Sequence, residues 1–70
     1  MITIKPNRSD MISEASYDEA EQCLYITFNK GGQYKYSDFP KNKFDELVNA
    51  ESMGKHFHAH IKGKHDHEKV

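Results

Sequence analysis

Disulfides, membrane spans and catalytic signatures are what this sequence lacks. Its seventy residues include one cysteine, Cys23, so no internal disulfide can form. A secreted domain of this size ordinarily carries several bridges, and a reducing, cytoplasmic compartment is expected. No apolar run approaches the roughly 20 residues of a membrane-spanning helix. The opening stretch, MITIKPNRSD, has no apolar core and no small-residue cleavage site, so it does not read as a signal peptide. The chain reads as a complete, soluble, intracellular gene product with no membrane partner. Its length limits it to one domain and excludes a Rossmann unit, a barrel or a two-domain cleft; folding would bury only about 60% of the surface its unfolded chain exposes. No G-x-S-x-G, C-x-x-C, P-loop or H-E-x-x-H motif occurs. The carboxylates of Asp18-Glu19 and Asp45-Glu46 are sequence neighbours and point apart within a strand or helix. The expectation is therefore no enzyme and no cofactor, and Cys23 is read as a small packing residue.

Basic residues are absent from positions 9–29, which hold Asp10, Glu14, Asp18, Glu19 and Glu21. Over positions 30–43 the balance reverses, with Lys30, Lys35, Lys41 and Lys43 against Asp38 alone. Beyond Lys55 come Lys62, Lys64 and Lys69, interspersed with five histidines and offset by Asp66 and Glu68. A formal net charge of −1 thus conceals strong segregation, and segregated charge creates local potential.

Hydrophobic periodicity gives the elements. A short mixed strand is predicted over 12–17. The clearest strand is Cys23–Phe28, which alternates Leu24, Ile26 and Phe28 against Cys23, Tyr25 and Thr27. The Gly31-Gly32 turn supplies positive φ, and a third strand over 33–37 alternates Tyr34 and Tyr36 against Gln33, Lys35 and Ser37. The period then changes. Pro40 suits a helix start, with Phe44, Leu47 and Val48 at i, i+3, i+4. Ser52 is a candidate N-cap for a second helix striped by Met53, Phe57 and Ile61, and Gly63 is its natural stop. The resulting fold class is α+β: a three-stranded antiparallel meander with two C-terminal helices packed on one face. Residues 1–8 form an arm or a short edge strand, 9–63 the domain, and 64–70 a polar, disordered tail.

The order of these residues resembles the KTSC domain family. The matching positions are Ser9, Ile12, Tyr17-Asp18, Leu24, Ile26, Phe28, Gly31-Gly32, Tyr34-Lys35-Tyr36, Phe39-Pro40, Phe44, Leu47, Ala50, Ser52, Gly54, Phe57 and Ile61. Ser16, His58 and His65 depart from the family pattern. That family is named for its place at the C-terminus of some lysyl-tRNA synthetases, and it also occurs as short standalone proteins. The resemblance implies a compact ββαα-type fold with an extra strand and no catalytic chemistry, and it suggests a nucleic-acid role.

The residues themselves point the same way. Lys41 and Lys43 lie in the first turn of a helix, the wrong sign for the helix dipole but a suitable place for a phosphate. Lys35 and Gln33 extend a basic surface across the open sheet face, where Tyr25 is placed to stack on a base. Lys62 adds to it. The leading expectation is a non-enzymatic module binding RNA or another nucleic acid through Tyr25, Gln33, Lys35, Lys41, Lys43 and Lys62. Solubilising lysines alone would give the same pattern. The alternative is a protein-interaction or homodimerisation module using the first meander strand as an exposed edge. A minor alternative is metal chelation by His56 and His60, one turn apart; a solvated helix face is the reading preferred for them. Tyr34 and Tyr36 are assigned to the core.

Overall fold

The computed structural model describes residues 1–5, 12–63 and 67–70. Ser9, Asp10, Lys64, His65 and Asp66, named above, lie outside the described residues. The elements are β1 (Ile2–Ile4), β2 (Ile12–Asp18), β3 (Cys23–Phe28), β4 (Gly32–Tyr36), α1 (Lys41–Asn49), α2 (Met53–His60) and β5 (His67–Lys69).

The fold is α+β with two helices, but the sheet has five strands in the order β1-β2-β3-β4-β5 rather than three. Every neighbouring pair is antiparallel. Both additions come from the termini. β1 pairs Ile2 with Tyr17 and Ile4 with Ala15, which brings the two isoleucines onto the core face. β5 corrects the expectation of a disordered tail: Tyr34 pairs with Lys69 and Tyr36 with His67, and the Val70 N–H donates to the Gln33 carbonyl at 2.9 Å. β1 also covers the edge of β2, so the first meander strand is not the exposed edge. Among the described residues the outer strands are β1 and β5.

The register explains why β2 looked mixed. A bulge falls between Ile12 and Glu14, and one extra residue moves every following side chain to the other face. Ile12, Ala15 and Tyr17 therefore share the core side, opposite Phe28, Ile26 and Leu24. Asp18 ends the strand in an Asx-type turn, its Oδ1 accepting from Ala20 N–H (3.1 Å) and Glu21 N–H (3.3 Å). Gly32 opens β4 at φ +83°, which a β-carbon would resist.

The helices cover the apolar face. α1 buries Phe44 and Leu47, and Phe44 stacks on Tyr17 at 5.0 Å between ring centroids. α2 buries Met53 and Phe57. Phe57 meets Phe28 (5.4 Å) and Tyr36 (5.6 Å) edge-on. Ser52 caps α2, its hydroxyl accepting from Lys55 N–H at 3.3 Å. Phe39, between β4 and α1, is fully buried. Its N–H donates to the Gln22 carbonyl at 2.8 Å, and its carbonyl accepts from the Tyr17 hydroxyl. Cys23 is buried, its thiol donating to the Glu21 carbonyl at 3.5 Å.

Candidate functional site

A cleft of about 420 Å³ opens where the β3–β4 turn, the exit of α2 and β5 converge. Phe28, Tyr34 and the exposed His67 line it, and the almost fully buried Tyr36 and Phe57 back it. The alternation of β4 puts both tyrosines on this side, and β5 places His67 beside them. The His67 ring lies 5.3 Å from Tyr36 at an interplanar angle of 29°, and 5.7 Å from Tyr34 at 59°. Tyr34 in turn meets Phe28 edge-on at 5.6 Å. α2 ends with the Ile61 and Lys62 N–H groups both donating to the Phe57 carbonyl at 2.9 Å. Gly63 then turns the chain at φ +78°, which leaves Lys62 exposed on the rim.

The cleft is flat-sided and aromatic, and none of its described lining residues is a carboxylate. Burial, then the neighbouring Tyr34, raises the pKa of the Tyr36 phenol, so it is a neutral hydroxyl at physiological pH. Rings of this kind stack on a planar ligand, and a lysine at the rim neutralises an attached anion.

The residues singled out in the sequence fall on three surfaces. Tyr25, Gln33 and Lys35 come together on the open sheet face. Tyr25 pairs with Lys35 across β3 and β4, and Gln33 Nε2 donates to Thr27 Oγ1 at 3.1 Å. Lys35 is also opposite Glu68 of β5, and Glu14 is opposite Thr27, so carboxylates flank this face. Lys41 and Lys43 sit on α1, across the sheet from Tyr25 and Lys35. Lys41 Nζ is 3.1 Å from Asp45 Oδ1 in an exposed ion pair. Lys43 borders a concavity with Glu46, His56 and His60. Lys62 alone of the six reaches the aromatic cleft. The sheet therefore does not bring the six residues onto one surface.

His56 and His60 share one face of α2, with ring centroids 4.5 Å apart. Burial, then His60, lowers the pKa of the His56 imidazole, and Glu46 opposes the shift. Among the described residues no three metal-ligating side chains converge, so the pair has no third ligand in place.

His67 of β5 was missed as a residue of the cleft. A polar His-Glu-Lys segment carries no strand signal. The signal for the sheet side of the cleft was present in the alternation of Tyr34 and Tyr36 behind a glycine turn.

The KTSC domain profile matches residues 8–65. The chain belongs to the KTSC domain family. A KTSC domain protein of Yersinia pestis has a solved crystal structure that superposes with a TM-score of 0.89 at 30% identity, covering 99% of each chain. A lysine–tRNA ligase of Nostoc punctiforme is 39% identical over 67 residues. That match takes in 96% of this KTSC chain but 12% of the ligase, so the domain corresponds to a small part of that enzyme. A short protein of Tsukamurella paurometabola is 39% identical over 59 residues, which is 84% of this chain and 88% of that one. The KTSC domain thus occurs both as a short protein and within a larger ligase. Among the described residues no helix is long and apolar enough to cross a membrane.

Proposed function

We propose that this KTSC domain is a non-enzymatic module that binds unpaired RNA at the aromatic cleft. The observation that carries the reading is the cleft itself: aromatic side chains of β3, β4, α2 and β5 with Lys62 on the rim and no carboxylate among the described lining residues. Unpaired bases are recognised by stacking on aromatic side chains, with cations tracking the backbone. The resemblance to a segment of lysine–tRNA ligases, enzymes whose name gives tRNA as a substrate, supports RNA as the polymer. Tyr25 and Lys35 would be the weaker surface, because Glu68 stands directly opposite Lys35 and repels phosphate.

The test is a binding titration of a fluorescent single-stranded RNA at several salt concentrations. The rim cation Lys62 contributes about −0.7 to the log–log salt slope, and Lys62→Ala removes that contribution. Lys35→Ala leaves it unchanged. Absence of salt-sensitive binding at micromolar protein refutes the RNA reading. A loss in Lys35→Ala with none in Lys62→Ala moves the contact to the open face.

A second reading, homodimerisation through a sheet edge, is favoured by β1 and β5, which have no outer strand partner among the described residues. A solution mass equal to one chain removes it.

A further inference from the structure

We infer that β5 is the element that completes the cleft as a site for a single unpaired nucleotide, with His67 as its second stacking surface and Lys69 as a phosphate contact. This rests on the RNA reading and says which part of the chain makes the site.

The first argument is what β5 does not do. His67, Glu68 and Lys69 are all exposed, so burial of apolar side chains does not account for a strand here. What holds β5 is its ladder with β4 and the contacts of one ring, His67, against Tyr36 and Tyr34. A short, charged strand is an ordinary way to close a sheet edge; what is particular to β5 is that it sets an exposed ring beside Tyr34 and Tyr36.

The second argument is geometric. β4 by itself offers the half-buried ring of Tyr34, flanked by Phe28. Tyr36 and Phe57 are almost fully buried, so their rings back the cleft rather than face a ligand. His67 adds an exposed ring tilted 59° to Tyr34, giving two aromatic surfaces around one opening. At about 420 Å³ the cleft has the volume of a small-molecule site, which suits one extruded base with its sugar and excludes a duplex.

The third argument is charge. Alternation along β5 puts Lys69 on the same side as His67, and Glu68 on the open face opposite Lys35. The Lys69 stem passes over the β3–β4 turn, its Cε 3.4 Å from where a β-carbon on Gly32 would stand. Lys69 thus stands at the β3–β4 turn and Lys62 at the exit of α2, while the acidic residue of the strand is turned away.

The experiment uses the isotope-labelled full chain. Uridine and adenosine 5′-monophosphates, inorganic phosphate, a single-stranded RNA octamer and its duplex are titrated in turn by nuclear magnetic resonance. The nucleotides and the single strand are expected to shift the amides of Gly31, Tyr34, Gly63 and His67, and phosphate alone to shift them less. The duplex is expected to bind more weakly than the single strand. His67→Ala weakens single-strand binding about fivefold or more, the loss expected for one stacking contact. Lys69→Ala lowers affinity and flattens its salt dependence, whereas Glu68→Ala, on the same strand but the other face, weakens neither. Unchanged amide positions in β2 and β3 of each variant show that the fold is retained. Wild-type affinity in both His67→Ala and Lys69→Ala overturns the role of β5 and leaves RNA binding standing, whereas equal affinity for the duplex overturns the unpaired-RNA reading together with it. No binding of any RNA overturns both.

Discussion

Gln22 and Asp38 hold left-handed backbone conformations, at φ +53° and +54°, and neither is glycine. Gln22 is the cleaner test, because its side chain is exposed and its structural role is played by its carbonyl, which accepts from Phe39 N–H. A β-carbon in the left-handed region costs about 1–2 kcal/mol. Glycine removes that cost but adds about 0.4–1 kcal/mol of unfolded-state entropy. Gln22→Gly is therefore expected to stabilise the domain by about 0.5–1 kcal/mol. For a domain of this size the gain raises Tm by roughly 2–8 °C. Gln22→Ala keeps the β-carbon and its strain, so its Tm should stay within about 2 °C of the parent. Both are read by thermal unfolding monitored by circular dichroism. Equal shifts in the two variants, or a lower Tm for Gln22→Gly, would refute the assignment of strain to this position.

Two further outcomes follow from the helices. Ser52→Ala removes the hydroxyl that caps α2 and should cost about 1 kcal/mol in chemical denaturation; an unchanged midpoint would show that the cap contributes nothing. His56 has a folded pKa below the unfolded value of 6.5, through burial and the adjacent His60. The unfolded chain therefore takes up the proton first, so this contribution to stability is present above pH 6.5 and is lost as pH falls through the lower, folded pKa. His56→Gln should flatten the stability profile across that window, and superimposable profiles for the two proteins would count against a half-buried imidazole with a lowered pKa.

How much of this was legible in the sequence depends on whether the cause was local. β3 and β4 alternate cleanly, and their faces fall as their periodicity requires. Ser52 caps α2 as expected because capping chemistry is a matter of adjacent residues, whereas the helix ends at His60 with Ile61 as its C-cap and Gly63 turns the chain two residues later. β2 was only half legible: the bulge at Ile12/Glu14 breaks the period that marks a strand, although its buried residues are apolar. Phe39 belongs to no periodic segment, and it is buried by hydrogen bonds that reach back to Gln22 and Tyr17. β5 was invisible, since its order comes from pairing with a strand 31–35 residues earlier. The candidate site divides the same way. Tyr34 and Tyr36 were placed on the correct face, but a cleft needs α2 and β5 beside them, and no local pattern encodes that juxtaposition. Lysines can be counted in a sequence; which of them share a surface is decided by the sheet between them.

The placement of the cleft also bears on how one domain serves as a short protein and as a small part of a ligase. The sheet runs from β1 at one edge to β5 at the other, so the two ends of the domain emerge on opposite sides. Polypeptide joined ahead of β1 would lie three strands away from β4 and leave the aromatic cleft open. Polypeptide joined after β5 would continue from the wall of the cleft, next to Lys69, and would compete for the space a ligand needs. Only the first arrangement keeps the proposed RNA site intact.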